Sequence, residues 1–336
     1  MYESFYKLRA KPFQLNPDPR FFYGSKGHKR AMAYLDYGLS LGEGFIVITG
    51  EVGAGKTMLV RNLLKKLEHE NIVPAQLVTT QLDADDTLRM VANAFGLAQE
   101  GVSKAGLLSS LESFLQSATK QGKRPLLIVD EAQNLTPRAV EELRMLSNFQ
   151  SGDKPLLQSF LLGQPEFRKT LQSEELLQLR QRVIASYHLG ALDASETHAY
   201  IIHRLDMVGW QGDPAITDDA FQRIHEYTGG IPRKINTLCD RLMLLGFLSE
   251  KHNFDKETVQ EVIDDLSQEV AYSEAPHEAK QAPRGFDDSM EQRFSASEFA
   301  RLEQKIEGME MTMNRMMTMM RKMMFLAVEK NQEKVD

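Results

Sequence analysis

The chain has 336 residues, enough for two domains and a tail, and its 42% apolar content supplies a real core. A net charge of −7 speaks against coating nucleic acid through global positive charge and leaves only a local basic patch for such a role. Cys239 is the only cysteine, which excludes an intrachain disulfide and a cysteine-based metal site and suits a reducing cytoplasm.

The start, Met1-Tyr2-Glu3-Ser4, has no basic region followed by an apolar core, and no run approaches roughly 18 uninterrupted apolar residues. The expectation is a chain neither exported nor membrane-spanning. Phe5, Tyr6, Pro12, Phe13, Pro17, Pro19, Phe21 and Phe22 crowd residues 1–24, a turn-filled lead-in expected to pack on something. A helical stretch over 25–41 follows, and then Phe45-Ile46-Val47-Ile48-Thr49, a β-branched apolar run that reads as a buried strand.

That strand runs into Gly50-Glu51-Val52-Gly53-Ala54-Gly55-Lys56-Thr57, which has the form G-x-x-x-x-G-K-[ST]. Its glycines let the backbone wrap round an anion, with successive N–H groups and the next helix N-terminus aimed at phosphate. Lys56 would reach the β- and γ-oxygens of a nucleotide, and the Thr57 hydroxyl a Mg²⁺ ion. Helical spacing over 58–67 supports the motif, since the loop must lie between a strand and a helix.

Further on, the pattern predicts a strand over 75–79, helices over 85–95 and 104–120, and a second apolar strand, Leu126-Leu127-Ile128-Val129. The last of these ends in Asp130-Glu131, where side chains emerge at the carboxyl end of a parallel sheet. A phosphate loop alone says only that phosphate is bound; hydrolysis needs a metal anchor and a group acting on water. Asp130 fits the first role and Glu131 the second. Thr136-Pro137 supplies an N-cap and first-turn pair for a helix to Phe149, with strands to follow over 158–162 and 185–189. Alternating strands and helices predict an α/β fold with a parallel sheet.

From Asp193, whose spacing to Glu196 is that of a capping box, the segments to Leu266 read as helical throughout, which sets a domain boundary near 191. Residues 269–291 carry Pro276 and Pro283 and few large apolar side chains, as a linker does. A last helix starts at Ser295, with Phe299, Leu302, Ile306, Met309, Met313, Met316, Met320, Met323 and Ala327 at alternating steps of three and four. This heptad stripe predicts a coiled-coil-like helix over 292–330 that either self-associates or packs on another protein. Docking on a membrane surface and Cu(I) binding by thioethers stay open, although few basic residues are arranged to meet lipid and no His or Cys joins the stripe. His188, His198 and His203 form no H-E-x-x-H pattern, and there is no G-x-S-x-G nucleophile turn.

A phosphate loop, an apolar strand ending in Asp-Glu, and then an all-helical module together resemble an AAA+ ATPase. More narrowly, the chain resembles the general secretion pathway protein A (ExeA-type) family. The resemblance rests on Pro12-Phe13 with Pro17-Asp18-Pro19, Thr49 to Gly53, Asp130-Glu131-Ala132-Gln133-Asn134-Leu135, Gly163-Gln164-Pro165-Glu166, Gln181-Arg182, His203-Arg204-Leu205 and Gly230-Ile231-Pro232-Arg233. Gln178 to Leu189, with Leu192, Thr197 and Val208-Gly209-Trp210, looks closest to members found with exosortase and exopolysaccharide loci.

The resemblance implies a nucleotide-binding α/β domain over 1–191 and a helical lid over 192–268, with ATP and Mg²⁺ as ligands. It places Arg182 where a finger acts on a neighbouring subunit's ATP, with Arg180 as a rival, so that self-association into an oligomer is implied. Arg233 falls at the second sensor and Gln164 at the first, and the segment around Pro12 and Phe13 falls at the adenine pocket. The namesake secretion proteins continue into a transmembrane segment and a peptidoglycan-binding region, neither of which is seen up to Asp336. The expectation is therefore a cytoplasmic motor tethered through its tail to a membrane-associated secretion or polysaccharide-export partner. An ATP-regulated DNA-binding adaptor and a nucleotide-switched scaffold remain alternatives.

Overall fold

Strands with apolar residues at every position need cover on both faces, and the sheet meets that demand. In the computed structural model, which describes residues 2–78, 83–98 and 101–274, five parallel strands form one sheet. They are β1 (Phe45–Gly50), β2 (Ile72–Val78), β3 (Arg124–Asp130), β4 (Gln158–Gly163) and β5 (Val183–Leu189), in spatial order β2-β3-β4-β1-β5.

Alternate residues of the three central strands, β3, β4 and β1, feed two separate cores. Val47, Leu127, Val129 and Leu161 face one side and pack with α3 (Ala84–Ala94), α4 (Lys104–Lys120) and α5 (Pro137–Leu146), after α1 (Lys26–Leu41) and α2 (Lys56–Leu67) in chain order. Ile46, Ile48, Ile128, Phe160 and Leu162 face the other side, against Ala31 and Leu35 of α1 and Leu59, Val60 and Leu63 of α2. Helix ends obey local chemistry: Ser25, Asp83, Ser103 and Thr136 each accept a backbone N–H at the start of their helix, and Gly42 closes α1 in a left-handed conformation. The short α6 (Pro165–Gln172) follows β4 directly.

A third core lies among α7 (Ala194–Met207), α8 (Asp218–Thr228), α9 (Pro232–Leu248) and α10 (Lys256–Glu274). Into it go Tyr2, Tyr6, Leu8, Phe13 and Phe21, so most of the lead-in segment's buried side chains pack on the helical module, while Phe22 packs against the core beneath α1 and α2. Tyr2 Oη donates to Asp240 Oδ1 at 2.5 Å, Tyr6 Oη to the Lys251 carbonyl at 2.8 Å, and the Arg9 N–H to the Val208 carbonyl at 2.9 Å. Residues Met1–Glu274 make up one compact unit.

Several details differ from the sequence pattern: the helix expected to reach Phe149 ends at Leu146, and the strand expected over 185–189 starts at Val183. Residues 193–266 are not helical throughout: Ala215–Ile216 and Asn253–Phe254 pair as a two-stranded parallel ladder, too short to show a period. Strand β2 starts at Ile72 rather than 75, because the edge residues Ile72 and Val73 are only partly covered and Pro74 is exposed, which blurs the apolar run. Helix α10 continues to Glu274, past the expected start of a linker at 269. The remainder of that linker and the methionine-rich helix over 292–330 lie outside the described residues. Among the described residues, no helix is long and apolar enough to cross a membrane.

Candidate active site

Strand β1 delivers the chain to the carboxyl end of the sheet at Gly50, where an added Cβ would meet the Leu189 carbonyl at 2.7 Å. Gly53 (φ 83) and Gly55 (φ 103) then take backbone angles that L side chains rarely adopt, and α2 begins at Lys56 with its first N–H groups facing the loop. Ala54 is buried in the core under α2, while Glu51 and Val52 stand at the exposed rim. Lys56 is only 5% exposed, and its Nζ donates to the carbonyls of Gly50 at 2.6 Å and Glu51 at 3.0 Å. Burial pulls its ammonium pKa down, against the charges of Glu131 and Asp130.

Two strands away, β3 ends at Asp130. Its carboxylate is 3% exposed, accepts from Thr57 Oγ1 at 3.1 Å through Oδ2, and accepts from the Glu131 N–H at 3.0 Å through Oδ1. Burial pushes this carboxyl upward, and the two hydrogen bonds oppose that shift. A hydroxyl and a carboxylate side by side are hard oxygen donors that fit Mg²⁺, an ion that takes few protein ligands and fills its shell with water and phosphate. Among the described residues there is no group of three or more His, Cys, Asp or Glu that could cage a metal.

Glu131 breaks the extended path with a left-handed backbone (φ 55, ψ 41), which turns the chain into the short helical turn Ala132–Asn134. Gln133 Nε2 donates to Glu131 Oε2 at 2.6 Å, and Gln164 Nε2 donates to the same oxygen at 3.2 Å. Gln164 is the residue before α6 and does not cap it with its side chain. Lys56, Thr57, Asp130, Glu131 and Gln164 are thus gathered at the ends of β1, β3 and β4.

A cleft of about 410 Å³ opens beside them, lined on the loop side by Val52, Gly53, Gly55, Lys56, Thr57, Met58 and Glu131. Its far wall comes from the lead-in segment, Gln14 to Asp18 and Phe21 to Tyr23, and from Leu192, Tyr200, Arg204 and Asn236 of the helical module. Of the two residues named for a base pocket, Phe13 is buried in the helical core at 1% exposure, and neither it nor Pro12 lines the cleft. The buried Arg204 fastens this wall, donating to the carbonyls of Pro12 at 2.7 Å and Gln14 at 3.3 Å and to Tyr200 Oη at 2.8 Å. Its guanidinium also lies 4.9 Å from the Phe21 ring centroid. Sequence reasoning gave Arg204, Tyr200, Asn236 and Gln133 no role; a charged residue at a helical core position, 204, was the available signal.

Arg233 sits in the first turn of α9 and lines the cleft, and its backbone N–H donates to the Gly53 carbonyl at 3.2 Å. Arg182 lies elsewhere. Its carbonyl accepts from the Phe45 N–H at 3.0 Å at the start of β1, so the length of that strand, about 17 Å at the usual rise, separates its backbone from the loop. Its guanidinium donates to Ser147 Oγ at 3.1 Å, whereas Arg180 is exposed and donates to the Gln172 carbonyl at 3.2 Å.

Residues 40–171 match the AAA domain family. General secretion pathway protein A of Aeromonas hydrophila is 40% identical over 253 residues, which is 75% of this chain and 46% of that protein, so the chain spans about half the length of this relative. Among solved structures, the fold is similar to Cdc6p from Pyrobaculum aerophilum, with a TM-score of 0.60, 15% identity, and coverage of 77% of this chain and 73% of that one. It is also similar to the ADP form of the Aeropyrum pernix ORC2 protein, with a TM-score of 0.55, 16% identity, and coverage of 75% and 71%. At such identities the likeness carries the fold alone. With a parallel sheet, a phosphate loop and a strand-terminal Asp-Glu in place, the chain belongs to the AAA+ ATPases and is a homologue of general secretion pathway protein A.

Proposed function

We propose that this AAA+ ATPase hydrolyses Mg²⁺-bound ATP in the cleft between its phosphate loop and its helical lid, and couples that cycle to a membrane-associated secretion or polysaccharide-export partner. The observation that carries the reading is the convergence of Lys56, Thr57, Asp130 and Glu131 where α2 begins. The loop N–H groups and Lys56 bind and orient the β- and γ-phosphates, and Thr57 and Asp130 hold Mg²⁺, which supplies charge neutralisation when bound. Glu131 takes the proton of the attacking water, and Gln164 reports on the γ-phosphate. Arg233, whose helix touches Gly53 through one backbone hydrogen bond, acts as the lid's sensor. Arg182 serves a neighbouring copy in a homo-oligomer, a role supported by its distance from its own loop, with exposed Arg180 as the rival. The lid comprises the helices after 191 together with the lead-in segment that packs on them. A cytoplasmic position at the inner face of a membrane, with the methionine-rich helix as the docking element, completes the proposal.

Glu131→Gln is expected to lower Mg²⁺-dependent phosphate release by on the order of 100-fold or more while a fluorescent ATP analogue still binds. Equal release by both proteins would sink the catalytic assignment. Arg182→Ala should lose activity that mixing with Lys56→Ala restores; absence of complementation counts against the finger in trans and moves the same test to Arg180→Ala. Trapping Glu131→Gln in cells and comparing co-purifying proteins with and without residues 292–336 tests the export partner.

A further inference from the structure

The carboxylate assigned to water is held by amides from outside the nucleotide loop. Its Oε2 receives two amide N–H groups, from Gln133 at 2.6 Å and from Gln164 at 3.2 Å. The other end of the Gln133 amide is also engaged, since Oε1 accepts from the Gln164 backbone N–H at 2.9 Å. A backbone N–H can only donate, so the oxygen of Gln133 must face Gln164 and its NH₂ must face Glu131; the amide has one consistent orientation. Gly163 leaves the amide its place: an added Cβ there would meet Gln133 Oε1 at 3.3 Å and the Phe167 Cβ at 3.0 Å. The left-handed backbone at Glu131 is what brings a side chain two residues later back onto its own carboxylate.

Glu131 lines the cleft. The Gln133 side chain spends its donor on Glu131 and its acceptor on the Gln164 backbone, so its route to the reaction runs through these two residues. We propose that Gln133 is a positioning residue for hydrolysis, whose amide ties the Glu131 carboxylate to the turn between β4 and α6. A displacement of Gln164 along that turn then moves Glu131 with it, because one amide bridges the two. This inference rests on Glu131 being the group that acts on water.

The test uses the full chain and two variants. Gln133→Leu removes both hydrogen bonds at similar volume. Gln133→Glu keeps the length and the bond to the Gln164 N–H, but sets an acceptor where Glu131 needs a donor. Both are expected to lower kcat by about 10- to 100-fold, the scale on which a catalytic group displaced by about 1 Å loses rate. KM for ATP and the affinity for a fluorescent ATP analogue should stay within about twofold of the parent. Combined with Glu131→Gln, Gln133→Leu should cause no further loss, since it acts through the group already removed. A kcat for Gln133→Glu equal to the parent's overturns the proposal, as does a rise in KM that accounts for the whole loss. If Glu131→Gln itself leaves hydrolysis intact, the site reading fails; if it abolishes hydrolysis while both Gln133 variants retain kcat, only the positioning role fails.

Discussion

At Gly53 two demands meet in one residue. Its φ of 83 lies where a side chain costs on the order of 1–3 kcal/mol, and an added Cβ would run into the Cβ of Arg233 in α9. Gly53→Ala is therefore expected to weaken ATP binding by at least tenfold and to lower the thermal midpoint, read by nucleotide titration and calorimetry. A protein with unchanged affinity and midpoint would show that the loop and α9 do not touch there in solution. The motif glycines, Lys56, Thr57, Asp130 and Glu131 were legible because their chemistry is local: fixed spacings after a strand place them without knowledge of the rest of the chain. Gln133 was on the page within the same motif yet carried no role, because its meaning depends on the left-handed turn at Glu131. No sequence rule announces such a conformation at a glutamate.

Among the elements, α1 does more than cover the sheet. His28 in its first turn is 5% exposed, pairs with Ser25 Oγ at 2.7 Å through Nδ1, and lies so close to the loop that a Cβ at Gly55 would meet its Nε2 at 2.6 Å. Burial lowers its pKa from 6.5 to about 4, so it is neutral in the fold. As pH falls below 6.5, the unfolded chain takes up a proton that the folded chain refuses until about 4, and stability drops across that window. The loss from pH 7 to pH 5 is about 2 kcal/mol. His28→Gln should flatten the decline by that amount in urea unfolding at the two pH values; identical slopes would place the acid sensitivity elsewhere. Helices and strands of this length were readable from their periods and caps, as Thr136-Pro137 before α5 shows. The two-residue ladder of Ala215–Ile216 and Asn253–Phe254 was not, since it is held by tertiary packing and has no period to read.

Over the whole molecule, the lead-in segment is the feature that sequence left without an address. Its aromatic crowding signalled burial, but the partner lay some two hundred residues away, in the helical module. Tyr2, Tyr6, Leu8, Phe13 and Phe21 are all buried there, each contributing roughly 1.5–3 kcal/mol of apolar burial. Removing residues 1–24 is expected to lower the thermal midpoint of the helical module and to weaken ATP binding, because Gln14 to Asp18 and Phe21 to Tyr23 wall the cleft. Arg204→Met, which drops the bonds to Pro12, Gln14 and Tyr200, should show a milder version of both effects in circular dichroism melts and nucleotide titrations. Retention of parental affinity in both proteins would deny the segment any share in the site. The same packing sets a timetable at the ribosome. Tyr2 bonds to Asp240 and Tyr6 to Lys251, so these two aromatic residues wait for nearly the last of the helical module to emerge. At ordinary rates of translation that interval is roughly 10–50 s, during which the sheet can form around the phosphate loop while its neighbouring wall hangs unpaired. A nascent chain stalled before the helical module is complete should therefore hold a folded sheet beside a sticky, protease-sensitive lead-in segment.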